Sequence, residues 1–236
     1  MRVTWAFLGR VPYAEALRLQ RAAVGQVQRG GPGMLLLLEH PPTITLGRHA
    51  DPRHLLLPEA DYRRRGIPIF RVKRGGDVTY HGPGQLIGYP IVSLDEMRIS
   101  VPDWVRGNAE TIAEFLESRG VKARWSQDRP GVWVGDDKIA AVGFHIERRV
   151  SSHGFAINLD VDLSHFGTIV PCGLAHCGVT SLKRLGADAL PMPRAAEEVA
   201  QRLATRFGWE LAACRPGESL ARESETVQPY HATIAP

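Results

Sequence analysis

VKARWSQDRPGVWVGDDKIAAVGFHIERRVSSHGFAINLDV, residues 121–161, places four strand-like runs in succession with no helical stretch between them. The runs are Val121–Trp125, Gly131–Val134, Lys138–Arg148 and Gly154–Val161, with Gly135, Asp136 and Asp137 supplying the turn between the middle two. Strands that follow one another directly pair as hairpins, whereas each parallel neighbour needs a crossover of roughly a dozen residues or more. The expected fold class is therefore α/β with a mixed β-sheet flanked by helices, not a doubly wound parallel sheet.

Upstream, residues 13–28 put Ala14, Leu17, Arg21, Val24 and Gln28 on one helical stripe, with Leu17, Val24 and Val27 as anchors and Gly30 and Gly31 closing the helix. Met34–Glu39 reads as a buried strand. His40, Pro41 and Pro42 then turn the chain into Thr43–Leu46, and a hairpin-like pair is expected. Ile67–Val72 and Gln85–Ser93 are strands on either side of a loop. Residues 102–119 form a helix, with Pro102 near its first turn, Trp104, Val105, Ile112, Ala113 and Leu116 on one face, and Gly120 just past its end. A late helix spans 193–207 and a last strand 208–211. Residues 1–214 are expected to form one domain, and the polar tail 215–236 to be mobile.

Composition narrows the function classes. In 236 residues, 44% hydrophobic and 23% charged, there is no low-complexity block, and the longest strongly apolar run, Met34–Leu38, is far too short to span a bilayer. Arg10 interrupts any would-be signal region, so the chain reads as a mature cytoplasmic protein. Three cysteines, Cys172, Cys177 and Cys214, are an odd number and do not suggest a disulfide framework. A net charge of +4 favours acidic partners, with basic clusters at Arg63–Arg65, at Arg71, Lys73 and Arg74, and at Arg148 and Arg149. No basic helix, zinc finger or aromatic RNA-binding pattern accompanies that charge, so neither nucleic acid nor membrane is an expected partner.

Chemistry concentrates in RGGDVTYHGPGQ, residues 74–85. Gly75 and Gly76 allow positive φ and close backbone approach to a ligand, and Pro83 between two glycines stiffens the return. The stretch is neither a P-loop nor a dinucleotide fingerprint. On composition it fits a tight structural turn as well as a loop that aims N–H groups at an oxygen. Cys172, in ProCysGly, and Cys177 both suit a buried small hydrophobe or a nucleophile. With His165 and His176 they also offer a metal reading, though their spacing is looser than common zinc pairs.

Residues 74–85, together with EHPPTITLGR at 39–48, DKIAAVG at 137–143 and VPCG at 170–173, resemble the lipoyl(octanoyl) transferases in order and spacing. The resemblance covers roughly residues 35–185. It implies a fold shared with biotin and lipoate protein ligases. It also implies transfer of an octanoyl group from acyl carrier protein to a lysine of a lipoyl domain, in 2-oxoacid dehydrogenases or the glycine cleavage H protein, with neither cofactor nor metal.

By motif match the resemblance makes Cys172 the nucleophile and Lys138 its partner. The acyl group would lie against Arg74, Gly75, Gly76, Asp77, Val78, Thr79, Tyr80 and His81, against Ala141, Val142 and Gly143, and against Gly154, Phe155 and Ala156. An ordinary thiol with a pKa near 8.5 is only about 3% ionised at neutral pH, and the ammonium of Lys138 would favour the thiolate. Thioester exchange is nearly level in free energy and thioester-to-amide transfer is downhill, so no nucleotide is required. An ATP-dependent ligase or a lipoyl amidotransferase of the same fold is the alternative.

Overall fold

The computed structural model describes residues 1–170, 177–188 and 190–213. Within them the chain runs β1 (Arg2–Arg10), α1 (Tyr13–Gln28), β2 (Gly33–Glu39), β3 (Thr43–Leu46), α2 (Glu59–Arg64), β4 (Ile69–Arg71), β5 (Val78–His81), β6 (Gln85–Ile91) and α3 (Val101–Glu117). It continues through β7 (Arg124–Ser126), β8 (Gly131–Val134), β9 (Asp137–Glu147), β10 (Val150–Asn158), β11 (Gly178–Val179), α4 (Met192–Phe207) and β12 (Glu210–Ala213). Two 3-10 turns, Pro52–His54 and Leu163–Thr168, complete the described elements.

The main sheet has the order β12-β1-β2-β6-β10-β9-β8-β7, with β11 added to β9, and a small second sheet has the order β4-β3-β5. The mixed sheet is as expected: β1 runs parallel to both β2 and β12, while β6 pairs antiparallel with β10, β10 with β9, β9 with β8 and β8 with β7. Alternation along β2 assigns its two faces. Leu35 and Leu37 join Trp104, Ile112, Phe115, Val199 and Leu203 under α3 and α4, while Met34, Leu36 and Leu38 pack with Ala16, Ala23 and Val27 of α1. A third cluster, around Ile44, Tyr62, Val78, Tyr80 and Phe166, holds the small sheet.

Three expectations are corrected. Residues 34–39 and 43–46 do not form a hairpin. Both edges of β2 are taken, by β1 and β6, and the two prolines between the strands carry β3 away to pair with β4 and β5. The stretch between residues 72 and 85 is not all loop, because Val78–His81 forms β5 antiparallel to β3. The buried stripe of α1 is Tyr13, Ala16, Gln20, Ala23 and Val27: of the expected anchors Val27 is in it, but Leu17 and Val24 are half-buried, and the expected stripe members Ala14 and Arg21 are exposed. Two of its members are polar, so hydrophobic spacing alone points to the wrong face.

Three elements lie where no strand or helix was expected. Residues 2–10 form β1, residues 59–64 form α2, closed by Arg65 and Gly66, and residues 178–179 form β11. The remaining expected elements stand with their ends shifted by a few residues. Residues 215–236, expected to be a mobile tail, lie outside the described residues. No helix among the described residues is long and apolar enough to cross a membrane.

Candidate active site

The glycine loop is fastened on two sides. On one, the N–H groups of Gly47, Arg48 and His49, just past β3, donate to the carbonyls of Asp77, Arg74 and Gly76 at 3.2, 2.9 and 3.1 Å. On the other, Gly75 N–H donates to Phe144 O on β9 at 2.9 Å. Arg74, only 9% exposed, is a strut: Nε and Nη2 donate to Thr45 Oγ1, Nη2 also to Thr45 O at 2.7 Å, and Nη1 to Gly75 O. The approach of loop to sheet depends on Gly143, where a Cβ would stand 2.9 Å from Gly75 O.

Between this loop and strands β6, β9 and β10 lies a cavity of about 680 Å³, within the usual range for small-molecule sites. The expected acyl-binding residues Arg74, Gly75, Gly76, Asp77, Val78, Thr79, His81, Ala141, Val142, Gly143, Gly154, Phe155 and Ala156 all line it, and so does Lys138. Tyr80 does not. It faces the third core, stacked on His165 at 4.9 Å and edge-on to Phe166, because strand alternation sends it opposite to Thr79 and His81. Burial, with help from the Asp162 carboxylate, pushes its hydroxyl up to about 12.

Lys138 is 6% exposed. Its Nζ donates to Pro130 O at 3.0 Å and sits 4.7 Å from the centroid of the Trp133 ring, a cation–π contact. Trp133 is fixed in turn by Nε1 donating to Arg129 O at 2.7 Å and by the Arg129 guanidinium over its ring. Gly131 makes room for the lysine: its φ is +149° and a Cβ there would meet Lys138 Cε at 2.8 Å. Arg129 also donates to the half-buried thiol of Cys177 at 3.6 Å.

Cys172 and His176 lie outside the described residues, as does Cys214. The described chain on either side of residues 171–176 is anchored at the cavity's own walls. Before them, Val170 N–H donates to the carbonyl of His54, a lining residue, at 2.9 Å; after them, β11 pairs Val179 with Lys138, and Thr180 N–H donates to Lys138 O at 3.0 Å. Among the described residues, no three His, Cys, Asp or Glu side chains converge as a metal site would require.

Sequence reasoning missed a buried polar network on the cavity wall. His40 bridges Val11 O and the Tyr89 hydroxyl at 2.7 and 2.8 Å, and Tyr13 stacks on His81 with ring centroids 6.0 Å apart. His81 contacts Gln85 Oε1 at 2.8 Å and Thr45 Oγ1 at 3.2 Å; Gln85 donates to Asn158, and Asn158 to Thr180 O, at 2.9 Å each. A continuous hydrogen-bonded path therefore joins the glycine-loop strand to the residue beside Lys138. Burial depresses every histidine in the group: His40 to about 4, His153 to about 3 and His81 well below its ordinary value, so all are neutral at pH 7. His153 also holds a left-handed φ of 54°, rare for a non-glycine residue, with its N–H given to Gln20 Oε1. His40 stands in the EHPP stretch and Tyr89 in the apolar run after the glycine loop, but no local pattern signals that they meet.

The family model for the lipoyl protein ligase A/B catalytic domain matches residues 12–207 of this chain. An octanoyltransferase of Solibacter usitatus is 45% identical over 215 residues, covering 91% of this chain and 96% of its own. One of Alkaliphilus metalliredigens is 46% identical over 180 residues, covering 75% and 83%. Among solved structures, a lipoate-protein ligase A bound with ATP matches with a TM-score of 0.76 at 17% identity over 94% of both chains, a likeness of fold.

Proposed function

Because this chain belongs to the lipoyl protein ligase A/B catalytic-domain family, among its octanoyltransferases, it is an acyltransferase, and we propose that it carries an octanoyl group from acyl carrier protein to a lipoyl-domain lysine as a thioester on Cys172. One observation carries this reading. The glycine loop and Lys138 line the same cavity, and the chain on both sides of ProCysGly is pinned to that cavity's walls.

In the first half-reaction the Cys172 thiolate, favoured by the Lys138 ammonium, attacks the thioester carbonyl of the carrier's phosphopantetheine. The carrier sulfur leaves with the bond's electron pair and takes a proton from Lys138. In the second, the acceptor amine nitrogen bonds to the acyl carbon and gives up its proton to the now neutral Lys138, and the Cys172 sulfur leaves with the electron pair of the C–S bond, which restores the starting thiolate and ammonium. Backbone N–H groups near Cys172 or in the glycine loop hold the oxyanion in both steps. Six methylenes of the chain, at about 0.8 kcal/mol each, give up to roughly 5 kcal/mol of binding in an apolar slot. The acceptors are lipoyl domains of 2-oxoacid dehydrogenases and the glycine cleavage H protein.

The test is incubation with octanoyl carrier protein in the absence of ATP, followed by mass spectrometry. An octanoyl adduct on the wild type, absent from Cys172→Ser, and transfer to an apo lipoyl domain abolished in Lys138→Ala are expected. Turnover without any adduct would remove the covalent route, and a requirement for ATP would favour a ligase.

A further inference from the structure

We propose that Arg48 and Lys73 form a phosphate site at the rim of the cavity, which holds the phosphodiester of the carrier's phosphopantetheine arm; the inference rests on the carrier-to-domain reading above and deepens it. A phosphodiester keeps its negative charge at any physiological pH, and an apolar slot cannot hold it without a large desolvation cost. The charged end of the arm therefore stays at the entrance, where the groups that meet it decide how well the donor is held.

Arg48 and His49 are the central residues of the turn after β3, closed by Ala50 N–H donating to Gly47 O at 3.1 Å; both are exposed, and His49 lines the cavity. The turn cannot drift. Its three N–H groups are bonded to the glycine loop, and a Cβ at Gly47 would collide with Gly76 O. Lys73 comes from the neighbouring segment. Val72 N–H donates to Leu46 O and Arg48 N–H to Arg74 O, at 2.9 Å each, so the residue between them is held beside the turn with its side chain exposed. The Arg48 guanidinium is placed as well, since Nη2 contacts His145 Nδ1 at 3.4 Å, which leaves its other N–H donors uncommitted among the described residues.

The charge on this rim is not neutralised. Among the described residues, no carboxylate lies within ion-pair distance of Arg48 or Lys73, whereas Arg53, Arg63 and Arg64 pair with Asp51, Glu59 and Asp61. The acids close by are engaged elsewhere. Asp77 is taken by His54 and by the N–H groups of Val78 and Asp51, Asp51 by Arg53, and Glu147 lies against the other ring nitrogen of His145 at 3.5 Å. A planar guanidinium offers parallel N–H donors that match two phosphate oxygens, and a lysine adds a point charge. The fold thus divides the Arg71, Lys73 and Arg74 cluster: Arg74 is buried as a strut, and Lys73 faces outward.

Three donors separate the contributions: octanoyl carrier protein, S-octanoyl phosphopantetheine and S-octanoyl pantetheine, each followed through transfer to apo lipoyl domain. The wild type is expected to use the phosphorylated small donor with a kcat/KM roughly 10- to 100-fold above that of the unphosphorylated one. Arg48→Gln should erase most of that preference and lower kcat/KM for the carrier about as much, with S-octanoyl pantetheine used at the wild-type rate. Lys73→Gln should give a smaller loss of the same kind, and Arg48→Lys should restore part of it. Equal kcat/KM for the two small donors in the wild type overturns the proposal, as does an undiminished kcat/KM for the carrier in Arg48→Gln. An equal loss with all three donors also overturns it, marking Arg48 as a brace of the glycine loop. Octanoyl coenzyme A has the same arm, and a kcat/KM above that of the carrier would overturn the carrier as the source of the phosphate. A wild type that transfers octanoyl from none of these donors overturns the carrier-to-domain reading and this proposal with it.

Discussion

Lys138 is the residue on which most of the local geometry converges. The Pro130 carbonyl and the Trp133 face fix its ammonium, and the missing side chain at position 131 leaves space for its stem. Gly131→Ala is expected to push that stem aside and slow acyl-enzyme formation by roughly 100-fold, read from the burst of carrier thiol release, while the protein stays folded. The buried histidines make a second expectation. His40 and His153 have folded pKa values below the unfolded value near 6.5, so the unfolded chain binds protons first as the pH drops. Their contribution is present above pH 6.5 and is lost as pH falls toward about 4 and 3. Between pH 6.5 and 5 each should cost about 2 kcal/mol, visible in urea midpoints, and His40→Gln should flatten the curve. Lys138 was legible in the sequence because its motif is local. Tyr13, His40, His54 and Tyr89 were not, since what gives each its place is a partner between 23 and 49 positions away or a cavity wall that exists only after folding.

At the level of elements, the β9–β10 hairpin explains one of the basic clusters. Glu147 pairs with Val150, so Arg148 and Arg149 are the two turn residues, and both have positive φ, 48° and 63°. Tight hairpin turns of this hand favour Asn and Gly. Arg149 is tied down, donating to the Asp95 carboxylate at 2.7 Å and to Ile99 O at 2.9 Å. Arg148 is exposed, and Arg148→Asn should raise stability by about 0.5–1 kcal/mol in thermal unfolding without changing transfer rates. Residues 121–161 revealed their strands because each alternates and each break carries turn residues. The 34–46 region misled for a physical reason: adjacency in sequence suggests a hairpin, but a strand buried on both faces and paired at both edges has no place left for its successor.

For the whole molecule, net charge and partner choice belong together. Under the proposed transfer, a charge of +4 suits acidic partner domains and should speed encounter, so raising salt from about 0.05 to about 0.5 M is expected to lower kcat/KM several-fold while leaving kcat nearly constant. Equal kcat/KM at both ionic strengths would remove the electrostatic contribution. The placement of β1 between β2 and β12 has a consequence for biosynthesis. During synthesis β1 is made before every other described strand, but β12, the neighbour that covers its outer side, is made after all of them. Until then, a row of backbone donors and acceptors stays open to any passing strand. Nascent chains stalled short of residue 210 are therefore the ones expected to clump and to recruit chaperones, and release of residues 210–213 is what renders them inert.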